Sequence, residues 1–153
     1  MNNKKLIQDY IESKISKKDF KSSLNTLKES ELKDFLNCLL GNYGGIVANE
    51  ILFEFLDFFI LQNDFIKLVS KVISTTDHPL VHFTLFEFFM LLGITDETFY
   101  TSLKIEVERF KPYNEFFLKN PDIIGSNSRF NKSLCRKFGI TNDKLDSLKS
   151  NLL

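Results

Sequence analysis

One stretch of this chain is apolar over most of a helical circumference, and it limits the folds open to the chain. It runs from Ile46 to Leu61 and is interrupted only by Asn49, Glu50, Glu54 and Asp57. A helix that is greasy nearly all round must be wrapped by other elements, so this segment belongs at the centre of the molecule. The chain has 153 residues, enough for one domain around such a centre and too few for two. A single domain over residues 1–153 is therefore expected.

The remaining segments read as helices that do the wrapping. Leu6, Tyr10 and Ile11 share a face, and Ser16 to Asp19 form a cap ahead of Phe20, Leu24 and Leu27. Ser30 is expected to cap a third helix that carries Leu32, Phe35, Leu36, Leu39 and Leu40, with Gly41 closing it. Asn63 and Asp64 open a helix ending near Ser74, and Pro79 stands in the first turn of the next, where its missing N–H costs nothing. Thr95 to Glu97 open another helix, with Phe99, Leu103, Val107 and Phe110 at core spacing and Pro112 as its stop. A short helix over Tyr113 to Leu118, a loop over Pro121 to Ser128 and two last helices, about 129–138 and 142–151, complete the reading. No stretch sustains the two-residue alternation of a half-buried strand. The expected fold is all-α: an irregular bundle, or a short HEAT-like stack of antiparallel helical hairpins, with about 8–9 helices.

A faint internal repeat favours the stack. Offset by 33 residues, Leu52-Phe53-Glu54-Phe55 matches Leu85-Phe86-Glu87-Phe88 at every position. That register would set Glu54 and Glu87 on one ridge of neighbouring parallel helices. The 17 Phe residues and the excess of Lys over Arg also fit A/T-rich coding, so phenylalanine abundance alone signals no ligand.

Charge is zero overall but unevenly laid out. Residues 41–100 hold eight acids against Lys67 and Lys71, while both ends are net basic. Glu50, Glu54 and Asp57 follow one another at helical spacing as the polar stripe of a greasy rod. With Glu87 they form the candidate contact face for a basic protein partner, charge guiding the encounter and apolar neighbours supplying affinity. Catalytic and metal signatures are missing. His78 and His82 are four apart but have no third ligand at fixed spacing, and no HExxH, Walker loop, GxSxG or CxxC occurs. No enzyme, cofactor or metal is expected. Cys38 and Cys135, far apart and flanked by apolar residues, are expected to be free buried thiols, which fits a cytoplasmic setting. The N-terminus lacks an apolar signal-peptide core, and the interrupted Ile46–Leu61 stretch is no membrane span.

In size, helicity and charge layout the chain is similar to the small all-α immunity proteins of bacterial toxin–immunity systems. That resemblance implies a non-enzymatic, protein-binding function: neutralising a cognate basic, nuclease-type toxin by covering its active site. The segment Leu134 to Leu148 supplies the alternative. Cys135, Gly139, Ile140, Leu145 and Leu148 stand where the helix-turn-helix of DNA-binding regulators has its small, turn and apolar residues. That likeness implies nucleic-acid contacts from Arg136, Lys137, Lys144 and Lys149. Asp143 and Asp146 lie in the would-be recognition helix and count against it.

Overall fold

The computed structural model describes residues 2–153 and is all-α. Its ten α-helices are α1 (Asn3–Ile11), α2 (Lys17–Asn25), α3 (Glu29–Asn42), α4 (Gly44–Glu54), α5 (Phe65–Thr75), α6 (Pro79–Leu91), α7 (Glu97–Ser102), α8 (Lys111–Lys119), α9 (Arg129–Phe138) and α10 (Asn142–Leu152). A π turn at Asp57–Leu61 and 3-10 turns at Val107–Phe110 and Pro121–Ile123 join them. The helix starts follow from side-chain oxygens in the sequence: Ser16, Asp64, Asp96, Ser128 and Thr141 each accept a backbone N–H from the first turn of the helix they precede. No described helix is long and apolar enough to cross a membrane.

Helix α6 is the hub. Of its residues, only Pro79, Leu80, Phe83 and Glu87 are not buried. Helices α3 and α4 pack against it directly. Phe65 of α5 meets Phe88 and Phe89, Phe110 and Phe117 meet Phe86, and Phe99 and Tyr100 of α7 meet Phe89, all at ring-centroid distances of 4.9–6.4 Å. Such edge-on and offset pairs add to the area term that aromatic burial already supplies. Helices α4 and α6 run parallel: Gly44 lies against Leu80, Asn49 bonds Glu87, and the Phe53 and Phe88 rings are 5.7 Å apart. Helix α3 also packs on α4 and α5.

The C-terminal part is tied in through the end of α6. The carbonyl of Leu91 accepts from Gly125 N at 2.9 Å and from the amide of Asn131, which is wholly buried. The Asn131 amide also reaches the Gly125 carbonyl. A helix end closed by a distant loop and a buried side chain fixes where α9 must lie. The approach needs glycine: a β-carbon on Gly93, at φ 87°, would stand 3.0 Å from Gly125 Cα.

Four local expectations are corrected. The helix expected over 46–61 breaks at Phe55 (φ −112°, ψ 32°) and resumes as the π turn, so Asp57 does not continue the α-helical face of Glu50 and Glu54. Gly41 lies inside α3, which runs on to Asn42, while the turn that Asn42-Tyr43-Gly44-Gly45 signals in the sequence does form, at Gly44 and Gly45. Helix α3 starts at Glu29, before Ser30, with Glu31 bonded back to Lys28 N at 3.0 Å. Pro112 opens α8 rather than closing α7, which stops at Ser102 ahead of Lys104 (φ 62°).

Phe89 is fully buried and touches rings from α5, α6 and α7. Phe89→Ala is expected to cost about 3–5 kcal/mol in chemical denaturation. Asn131→Ala should cost about 1–3 kcal/mol through the loss of two buried hydrogen bonds, although the Leu91 and Gly125 carbonyls each keep a backbone donor.

Candidate functional site

The four carboxylates proposed from the sequence are distributed over three environments. Glu50 pairs with Lys137 of α9 at 3.4 Å. Asp57 pairs with Lys144 of α10 at 2.7 Å. Glu54 accepts the phenolic O–H of Tyr10 from α1, and Lys17 of α2 stands 3.8 Å away. Glu87 accepts from Asn49 Nδ2 at 2.7 Å and has no cation within 4.0 Å among the described residues. The expectation that these carboxylates face solvent unpaired is therefore corrected. Three of them meet basic or phenolic groups of the same chain: the basic C-terminal hairpin folds back onto Glu50 and Asp57, and the first two helices bring Tyr10 and Lys17 to Glu54. The shared ridge of Glu54 and Glu87 does not form either. Asn49, not Glu54, stands across from Glu87, since the helices pack in a register other than the 33-residue match.

The pairs differ in worth. The Glu50–Lys137 and Asp57–Lys144 side chains are all about half exposed, so each pair contributes little, on the order of 0–1 kcal/mol. Glu54 is only 14% exposed and depends on its hydrogen bond. Burial, and then the carboxylate beside it, hold the Tyr10 phenol well above the usual tyrosine range. The Tyr10 ring also stacks on Phe20, with centroids 4.3 Å apart, so the donor is held in place by packing. Burial pushes the Glu87 carboxyl up, and the Asn49 hydrogen bond opposes that only in part.

Glu50 and Glu54 line a groove of about 680 Å³ between the α1–α2 turn, α4 and the end of α9. Its walls include Ile11, Ile15, Val47, Ile51 and Phe138, and Lys14, Lys17 and Lys137 stand at its edges. Ile11 is 40% exposed there, and Ile46, on the first turn of α4, is 72% exposed. The groove is mixed in character: six apolar or aromatic side chains line it beside seven polar or charged ones, the combination a protein contact face needs.

The residues of the helix-turn-helix alternative lie apart from one another in role. Lys137 and Lys144 are the partners of Glu50 and Asp57. The Lys149 ammonium lies over Gly93, 3.2 Å from where a β-carbon would stand. Arg136 is exposed, and so are Asp143 and Asp146 on the outer side of α10. His78 accepts from Leu80 N at 3.2 Å, while His82 is buried with Nε2 3.0 Å from the Thr76 carbonyl. No group of three metal-ligating side chains occurs among the described residues. Both cysteines are free, Cys135 buried and Cys38 half-buried, and burial pushes both thiols up.

Tyr10 and Asn49 are the site residues that spacing alone misses. Tyr10 reads as one more apolar position, although its hydroxyl is the donor to Glu54. Asn49 carried a usable signal: it sits off the Glu50–Glu54 stripe on an otherwise greasy face, where a buried amide needs a partner. No protein-family model, no curated protein and no solved structure matches the chain.

Two outcomes check this electrostatic ranking. Tyr10→Phe is expected to cost about 1–3 kcal/mol in urea unfolding, because the largely buried Glu54 loses its donor; Lys144→Ala should cost under about 1 kcal/mol. Glu87, whose folded-state pKa is raised, favours the fold while protonated. That contribution is complete below the unfolded-state pKa and lost as pH rises through the folded one. Glu87→Gln should therefore flatten the pH dependence of stability above the ordinary glutamate range and be at least as stable as the parent at pH 7.

Proposed function

We propose that the chain is a non-enzymatic protein-binding module of the immunity-protein kind, which covers a basic protein partner such as a nuclease-type toxin and occludes its active cleft. The observation that carries this reading is the α1–α4–α9 groove, where Glu50 and Glu54 stand beside the apolar side chains Ile11, Ile15, Val47, Ile51 and Phe138. Affinity comes from burying Ile11, Val47 and Phe138 against the partner, and specificity from the two carboxylates.

The lysines that now face those carboxylates are compatible with exchange. Lys17 and Lys137 are more than half exposed, so their pairs are weak, and a partner's arginine can replace them at little net cost. Arginine is the better occupant, because its planar fork meets a carboxylate through two hydrogen bonds. The groove also holds Lys14, so its three lysines outnumber Glu50 and Glu54, and recognition rests on short-range pairing with those two carboxylates rather than on long-range steering. This differs from the bare acidic stripe expected from the sequence.

The DNA-binding alternative has no comparable support. Two of its four cations are engaged with Glu50 and Asp57, and the outer side of α10 presents two aspartates where phosphates would lie.

The test is affinity capture of the partner from the source cell, followed by binding measurements on the purified pair. Glu50→Lys and Ile11→Asp, both at partly exposed positions, should each weaken binding at least tenfold while leaving the helical circular dichroism unchanged. Parental affinity in both variants would remove the groove as the contact face, and capture of nucleic acid alone would favour the regulator reading.

A further inference from the structure

A second surface lies on α6, apart from the groove. The one open strip of this helix is Leu80, Phe83 and Glu87, three and four residues apart and therefore on one face. Tyr113 of α8 packs edge-on against Phe83, with centroids 4.9 Å apart, yet stays 54% exposed. An exposed ring seated on a half-buried one leaves an apolar face open to a partner.

Glu87 gives this strip its chemistry. It is the one carboxylate of the four candidates without a cation of its own chain nearby. Its single protein partner is the buried Asn49 amide, itself fixed by a 2.9 Å bond to the Gly45 carbonyl. A half-buried carboxylate held in one orientation, one turn from aromatic faces, is complementary to a cationic side chain: the carboxylate meets the charge and the rings cover the stem.

We propose that Leu80, Phe83, Glu87 and Tyr113 form an anchor site for an arginine or lysine side chain of a protein partner, with Glu87 as the counter-ion. A purely apolar occupant, such as a lipid surface or a second copy contacting through α8 alone, would leave Glu87 desolvated and uncompensated. The site stands whether or not the α1–α4–α9 groove binds a partner.

The probe is a short capped peptide, Gly-Arg-Gly, titrated into isotope-labelled protein, with the citrulline peptide as the uncharged control. Saturable millimolar binding is expected, read from the ring resonances of Phe83 and Tyr113. Glu87→Gln should weaken it about fivefold and Tyr113→Ala should weaken it as well, while Asp146→Asn, which removes an exposed charge on α10, should leave it unchanged. Equal shifts with the citrulline peptide, parental affinity in Glu87→Gln, or shifts confined to Ile11 and Ile15 would overturn the proposal. The last of these outcomes would leave the groove reading intact, and ring shifts without any at Ile11 and Ile15 would support the anchor alone.

Discussion

The need to cover α6 governs the rest of the fold. A thirteen-residue helix with nine buried residues cannot meet water on more than a narrow strip. Helices α3, α4, α5 and α7, with the segment from Phe110 into α8, supply the cover through leucine and phenylalanine, and α9 closes its end through Asn131. These contacts are mostly non-directional, so they set how much is buried but not the register. Register comes from the few directional ones: Asn49 to Glu87, Asn131 to Leu91, and the close approach of Gly93 and Gly125.

Charge segregation along the chain is resolved within the molecule. The acidic middle and the basic C-terminal segment look from the sequence like two independent binding surfaces. In the fold they face each other across Glu50–Lys137 and Asp57–Lys144. Exposed pairs of this kind add little stability. What holds α9 and α10 down is apolar: Leu134, Cys135, Leu145, Leu148 and Leu152 are all buried. The hairpin is thus part of the core, not a detachable cover.

Helix number and most boundaries were legible because caps and apolar spacing are local. Ser16, Asp64, Asp96, Ser128 and Thr141 act within their own first turn, whatever packs nearby. The break at Phe55 was not legible, since the residues from Ile46 to Leu61 suit a helix throughout and only tertiary packing imposes the π turn. Pro112 is compatible with both the end of one helix and the start of the next. The pairing of the carboxylates depends on partners 38 to 87 residues away, which no local pattern encodes. The stripe itself was readable; its partners were not.

Recognition of a basic protein through the α1–α4–α9 groove is the claim on which the functional account stands. Isoleucine-methyl NMR of the chain with its captured partner tests it most directly. Ile11, Ile15 and Ile51 line that groove, whereas Ile66 and Ile94 line a separate one beside α7 and α10. The account predicts that the Ile11 and Ile15 methyl signals shift on adding the partner while those of Ile66 and Ile94 stay in place. Shifts confined to Ile66 and Ile94 would contradict it.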